Sequence, residues 1–147
     1  NIKINGINSE LILEEISMFS DGIIDVNNID GTFLLKGSKS KMISGDINVY
    51  GEYIEGKFSN QNEIINLNVE DKDLSNIKTN DTNMFAVRAI YDKKNNIIEL
   101  KEKVKVIRGN ETITGDYGKI NMQNQSYKIS SKDKSKVKVS LSNNDDE

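Results

Sequence analysis

Cysteine, histidine, tryptophan and proline are all absent from this chain of 147 residues. Without cysteine and histidine there is no thiol nucleophile, no imidazole base and no disulfide framework, and the soft ligands of zinc sites are missing. Chemistry that depends on any of these groups is therefore excluded. The composition gives no sign of a cofactor, and we expect none.

Apolar residues are scarce as well. They make up 35% of the chain, and the mean hydropathy is −0.57, so we expect thin, one-sided apolar layers rather than a thick two-sided core. The sequence has no run of about 18 apolar residues, the length that would predict a membrane-spanning helix. The formal net charge of −3, with both signs interspersed, provides no basic surface for nucleic acid.

The residues that are abundant favour strands and turns. Isoleucine is frequent, whereas alanine occurs only at Ala86 and Ala89. β-Branched side chains suit a pleated surface, and asparagine, aspartate and glycine suit tight turns. Because an AT-rich genome produces a similar bias toward Asn, Lys and Ile, the spacing of the turns is the stronger argument. The length suits one domain with its own core.

Turn signals recur about every 7 to 12 residues between positions 21 and 58, without helical patterns between them. This rhythm is typical of an antiparallel meander packed as a sandwich, roll or barrel. The strands predicted there are residues 23–26, 32–35, 41–43, 47–50 and 53–58. They follow a first strand at residues 2–7, and further strands are expected at 64–69 and 84–91, with a polar loop at 70–83 between them.

Residues 9–19 fit two interpretations. A helix capped by Ser9 is one, and a pair of short strands, 11–13 and 16–19, is the other. Neighbouring strands usually override local helix propensity, which favours the pair of strands.

The stretch from Tyr91 to Tyr117 carries the clearest alternation. Ile98, Leu100, Val104 and Val106 fall on one face of a long strand, and Glu102 breaks the pattern, which predicts a bulge or kink. Residues 58–67 and 91–100 both contain an aromatic residue, a polar turn and an Ile-Ile-x-Leu strand, which suggests stacked, similar hairpins.

Three more strands are expected at 118–122, 126–130 and 136–141. In the last of these, Val137, Val139 and Leu141 alternate with polar residues and are predicted to point inward. The lysines of this strand are typical of an edge strand that is protected against pairing with other chains. The alternative interpretation is a strand on which another chain docks. Residues 142–147 are acidic and polar, and we expect them to be disordered.

Four motifs follow one another in the second half of the chain. They are Ala86-Val87-Arg88-Ala89-Ile90-Tyr91-Asp92, Asn96-Ile97-Ile98-Glu99-Leu100, Val104-Lys105-Val106-Ile107-Arg108-Gly109-Asn110 and Thr112-Ile113-Thr114-Gly115-Asp116. Their order resembles that of the OstA-like (LptA) family of periplasmic lipopolysaccharide-transport proteins, over residues 84–141. The chain departs from the family at Leu100-Lys-Glu-Lys-Val104, where the customary glycine turn is missing.

The resemblance implies an all-β fold, a twisted, open antiparallel β-jellyroll over residues 1–141. It implies a periplasmic, non-enzymatic protein that shields the lipid A acyl chains of lipopolysaccharide and bridges inner and outer membranes. Head-to-tail assembly with like chains and with LptC-like and LptD-like domains is implied too. The beginning NIKING has no charged and apolar leader, so we expect any signal peptide to have been removed. The alternatives are an LptC-like membrane-anchored adaptor and a structural β-domain without a ligand.

The inward positions of the matched strands are the candidate lining of a lipid groove, and simple core packing is the alternative explanation for each of them. These candidates are Phe85, Val87, Ile98, Leu100, Val104, Val106, Ile113, Ile120, Ile129, Val137 and Val139.

Charged residues give weaker signals. Arg88 and Arg108 are the only arginines, and either could pair with a phosphate or a carboxylate, although a surface turn is the plainer explanation for Arg108. The carboxylates considered as an acid and base pair lack a second group at a fixed spacing, so we expect no catalysis. They are Glu52, Glu55, Asp116 and Asp133. The turn at 80–83 lacks the pattern of a calcium loop, so no metal site is predicted.

Overall fold

A computed structural model describes residues 1–132 and 137–141. Its regular structure within these residues consists of strands alone, joined into one open antiparallel sheet. The strands are β1 (Ile2–Asn5), β2 (Ser9–Leu13), β3 (Ile16–Ser20), β4 (Ile23–Asn27), β5 (Thr32–Ser44), β6 (Ile47–Phe58), β7 (Ile64–Lys78), β8 (Thr82–Asp92), β9 (Ile97–Arg108), β10 (Glu111–Asn121), β11 (Ser126–Ser130) and β12 (Lys138–Leu141).

The all-β prediction is confirmed, and three details of the sequence analysis are corrected. The optional helix at 9–19 is wrong, because these residues form the hairpin of β2 and β3, and β3 pairs with β5. The polar loop at 70–83 is wrong because β7 continues to Lys78. The separate strands predicted between 32 and 58 are fused into β5 and β6. The expectation for residues 142–147 falls outside the described residues.

Strands β5 to β10 form a meander in which each long strand crosses two leaves of the sheet. The first leaf contains β1, β4, β11 and the parts of the long strands that pair with them. The second leaf contains β2, β3, β12 and the remaining parts of the long strands. The amino-terminal edges are therefore β1 and β2, and the carboxyl-terminal edges are β11 and β12.

A crease separates the two leaves. The strand register shifts in every pairing from β5–β6 to β9–β10, at successive points across the sheet. In β9 the shift skips from Lys101 to Val104, and the skipped residues Glu102 and Lys103 have φ of 68° and 54°. Bulges of this kind bend a strand and increase its twist. The bulge or kink predicted at Glu102 is therefore confirmed.

Serine hydroxyls satisfy backbone groups along the crease. The Oγ atoms of Ser20 and Ser40 lie 2.9 Å apart, and Ser40 also donates to the carbonyl oxygen of Gly37 at 2.8 Å. Gly22 and Gly37 pass so closely here that a Cβ on Gly22 would lie 2.2 Å from the carbonyl oxygen of Lys36. Only glycine permits this approach where the chain crosses from β3 to β4.

Each leaf presents a continuous row of directly paired residues to the interior, because directly opposed residues of an antiparallel pair share a face. In the first leaf the row is Ile4, Ile24, Leu35, Ile54, Val69, Ala89, Leu100, Gly118 and Ile129. In the second leaf it is Leu11, Met18, Met42, Val49, Ile77, Met84, Val106, Ile113 and Val139. A single apolar core thus extends from one edge of the sheet to the other.

Candidate functional site

The interior between the two leaves is the candidate site. Most of the candidates from the sequence lie there, because alternation in β9 and β10 sets them on the inward face. The buried ones are Ile98, Leu100, Val104, Val106, Ile113 and Ile120. Ile129 is partly buried and packs against the same core. Its side chain occupies the space left by Gly115 and Gly118, where added Cβ atoms would lie 2.6 and 2.9 Å from it.

The inward prediction for Phe85 is wrong. Its neighbours Met84 and Ala86 are fully buried, whereas Phe85 lies opposite Asn76 and Lys105 on the outer face. The Nζ atom of Lys105 is 6.0 Å from the centre of the Phe85 ring, consistent with a cation–π contact at the surface.

Three other candidates occupy the margins of the interior. Val87 lies within the register shift between β8 and β9 and is half-buried. Val139 belongs to the inward row of the second leaf, opposite Ile113, but it lies in an edge strand and is 59% exposed. Val137 is half-buried and precedes β12. The strand predicted at 136–141 is thus observed from Lys138.

The first half of the chain contributes an equal share of the interior. The family resemblance begins at residue 84, so it gave no candidates in the first half. Alternation in the segments 16–20 and 32–35 was the available signal for these positions. The fully buried residues of this part include Ile16, Met18, Ile24, Leu35, Met42 and Ile54.

The mouth is the gap between the ends of the two leaves, on the side opposite the crease. The first leaf ends in the turns 28–31, 59–63, 93–96 and 122–125, and the second leaf ends in the turns 14–15, 45–46, 79–81 and 109–110. Two cavities lie along the mouth, with volumes of about 470 and 230 Å³. Ile47 and Ser44 of the second leaf line both of them.

Arg108 crosses the mouth at the larger cavity. Its Nε donates a hydrogen bond to Thr82 Oγ1 at 3.1 Å, and its Nη1 donates to the carbonyl oxygen of Gln125 at 2.5 Å. The guanidinium carbon lies 4.8 Å from the centre of the Tyr127 ring. The plain surface-turn interpretation of Arg108 is therefore replaced by a side chain that joins the two leaves.

The smaller cavity opens over Tyr91 and Ile64 of the first leaf. Tyr91 is 8% exposed, and burial is the main cause that raises the pKa of its phenol. At the rim, the Nζ of Lys93 and the carboxylate of Glu63 lie 2.5 Å apart. This hydrogen bond raises the pKa of Lys93, and it joins two turns of the same leaf.

The outer face of the first leaf is polar. The hydroxyls of Tyr53 and Tyr117 each donate to a glutamate, Glu55 and Glu99 respectively, at 2.9 Å. These bonds are the main cause that raises the pKa of each phenol. Arg88 forms a 3.4 Å ion pair with Glu70 on this face, and both side chains are 45% exposed.

The carboxylates considered for catalysis have separate surroundings. Glu55 accepts the bond from Tyr53, and Asp116 accepts bonds from the hydroxyl of Ser131 and the amide of Lys132. Glu52 lies near Asp71 and Asp73, with carboxylate oxygens within 4.8 Å of one another. Asp133 falls outside the described residues. Where the chain is described, no helix has the length and apolar character to cross a membrane.

No family model and no curated protein matches this chain. Among solved structures, it is similar to LptH of Pseudomonas aeruginosa, described as the LptA-homologous periplasmic component of the conserved lipopolysaccharide transport device. The alignment covers 87% of this chain and 95% of LptH, with a TM-score of 0.72 and 15% sequence identity. The two chains share a fold. The β-jellyroll expected from the sequence is thereby confirmed.

Proposed function

We propose that this protein is a periplasmic lipopolysaccharide-transport protein that shields acyl chains between its two leaves. The observation that carries the proposal is the pair of apolar rows running from edge to edge inside a fold shared with LptH. A long acyl chain requires only contiguous apolar surface, and burying such surface contributes roughly 25 cal/mol per Å². The interior supplies that surface along the full width of the sheet.

The residue types that line the interior also support a bound ligand. The second leaf contributes Met18, Met42 and Met84, all fully buried, and the fourth methionine of the chain, Met122, lines the larger cavity at the mouth. Methionine is unbranched and flexible, so it can fill the interior when the protein is empty and move aside for a ligand.

Head-to-tail assembly is part of the same proposal. The edge strands β1 and β2 at one end, and β11 and β12 at the other, are paired on one side only within the described sheet. Ile12 of β2 is 59% exposed, and Leu141 of β12 is 71% exposed. Unpaired edges of this kind can add a strand of a neighbouring chain through backbone hydrogen bonds. LptC-like and LptD-like domains would present similar edges.

Photo-crosslinking tests the lipid site. A photoreactive amino acid at Val104, which is 2% exposed, is expected to crosslink to lipopolysaccharide in cells that make it. The same amino acid at Lys105 is the matched control, because Lys105 is the next residue and lies on the outer, exposed face. Adducts should form at Val104 and not at Lys105. If Val104, Leu100 and Met84 all fail to give adducts, the structural domain without a ligand becomes the better explanation.

A further inference from the structure

The two ends of the mouth are held differently. At the β8–β10 end, Arg108 extends from the second leaf, donates a hydrogen bond to the carbonyl oxygen of Gln125 and packs against the ring of Tyr127, both in the first leaf. Towards β3 and β5 the smaller cavity lies between the leaves, and its lining includes Ile47 from the second leaf and Ile64 from the first. The ion pair at that rim, between Lys93 and Glu63, stays within the first leaf.

The side chain of Arg108 is held at several points. Thr82, which accepts the bond from Nε, is 5% exposed and begins β8. The second bond crosses to a carbonyl oxygen of the turn 122–125, and the ring of Tyr127 packs against the guanidinium group. Hydrogen bonds from a charged donor are stronger than neutral ones, and a planar guanidinium can bond and stack at the same time.

The interior behind the mouth is closed. Leu100, Ile98 and Ile120 of the first leaf and Met84 of the second are at most 1% exposed. Separation of the leaves at the mouth opens a route to these residues for an acyl chain. Any contact that joins the leaves there must be broken or strained in the open form.

We propose that Arg108 is a clasp that limits the opening of the mouth at its β8–β10 end and so regulates the access of acyl chains to the interior. This inference rests on the proposed function, since it names the control of the same site. Acyl chains enter the interior while the clasp is open, and closure of the clasp retains them. The charged hydrogen bond and the aromatic contact together raise the population ratio of the closed to the open form about tenfold.

Association of a fluorescent fatty acid tests the clasp. cis-Parinaric acid becomes fluorescent in apolar surroundings, and its uptake can be followed by stopped-flow mixing with the full chain. Arg108→Ala is expected to take up the probe about tenfold faster, and Arg108→Lys should fall between it and the unaltered protein. Arg88→Ala is the matched control, because Arg88 lies on the outer face and pairs with Glu70. Its rate should be unchanged.

The outcomes separate the two proposals. If the unaltered protein takes up no probe and gives no crosslinks to lipopolysaccharide, the proposed function is contradicted. If it takes up the probe but Arg108→Ala does so at the same rate, only the clasp is contradicted. Circular dichroism shows whether each variant is folded. If Arg108→Ala does not fold, Tyr127→Leu, which keeps the arginine and removes the ring, is tested for faster probe uptake instead.

A distance measurement examines the mouth without any lipid. The chain has no cysteine, so spin labels can be placed at Asn80→Cys and Gln123→Cys, two exposed turn positions on opposite leaves. The distance distribution is expected to shift to longer values when Arg108→Ala or Tyr127→Leu is added. Arg88→Ala should leave it unchanged. Identical distributions in the labelled protein with and without either clasp substitution would overturn the inference.

Discussion

At the scale of single residues, Tyr91 shows how the interior constrains a polar group. Its ring is buried beside Ile64 at the smaller cavity, and this burial favours the neutral phenol and raises its pKa. The pKa in the unfolded chain is about 10. As the pH rises through this value, the unfolded state loses the proton first, so the free energy of unfolding falls with increasing pH.

The substitution Tyr91→Phe is therefore expected to weaken the alkaline loss of stability. The free energy of unfolding, measured by urea titration at a series of pH values, should fall less steeply above about pH 10 in the variant. Tyr53, Tyr117 and Lys93, whose pKa values are also raised, contribute to the slope that remains. Identical pH dependence of the variant and the unaltered protein would mean that Tyr91 is more hydrated than its burial indicates.

Individual side chains also mark where sequence reasoning succeeds. In β9, polar residues separate the apolar ones, so the phase of the alternation is unambiguous and Ile98, Leu100 and Val106 are correctly placed. In β8, the four residues from Met84 to Val87 are all apolar, so alternation does not show which of them face the interior. Phe85 was assigned to the interior on that run, and pairing with Asn76 and Lys105 sets it outside.

At the scale of elements, the bend in β9 is encoded without glycine. Glu102 and Lys103 both adopt positive φ, a region that costs an L-residue about 1–2 kcal/mol. The broken alternation at Glu102 was sufficient to predict the irregularity. The lengths of β5, β6 and β7 were not predictable in this way, because the crease is rich in polar residues and glycine, as a turn is, although the chain continues in the same sheet.

Relief of the strain at this bend should be measurable. Glu102→Gly removes the Cβ from a residue at φ 68°, and the free energy of unfolding is expected to rise by about 1 kcal/mol. Lys101→Gly is the control one position earlier, where the strand is still paired with Tyr117. That substitution should destabilise the protein by about 0.5–1 kcal/mol. Denaturant titration of both variants distinguishes them, and destabilisation by Glu102→Gly would argue against strain at the bend.

The first hairpin shows a different limit of the sequence. Residues 9–19 carry apolar positions compatible with a helix or with two strands, and no local feature decides between them. The deciding interaction is long-range, since Met18 of β3 lies directly opposite Met42 of β5. The secondary structure of a segment that depends on such a distant partner cannot be assigned from its local sequence.

At the scale of the whole molecule, the apolar rows reach the sheet edges on both sides. Leu11 of β2 begins the row of the second leaf and Val139 of β12 ends it. If chains stack edge to edge, as proposed, the row of one copy would continue in the next. The fold class followed from turn spacing and from the family resemblance, whereas the two-leaf arrangement depends on register and was not predictable.

The assembly proposal predicts a mass that increases with protein concentration. Ile12→Lys on β2 and Leu141→Lys on β12 are each expected to reduce association, because they add charge to an edge meant to be covered. Ile29→Lys is the control, since Ile29 is 91% exposed but lies in the turn between β4 and β5 and not in an edge strand. Sedimentation analysis provides the measurement. A mass that stays monomeric at high concentration would contradict stacking.

The order of the strands has a consequence for how the protein is made. Among the described strands, every pairing apart from β1 with β4, β3 with β5 and β10 with β12 joins strands that follow one another in the chain. Pairing between near neighbours costs little loop-closure entropy and favours rapid folding. A chain that leaves a ribosome or a membrane channel amino end first can complete each pairing with residues that have already emerged, so the sheet grows strand by strand without waiting for its far end.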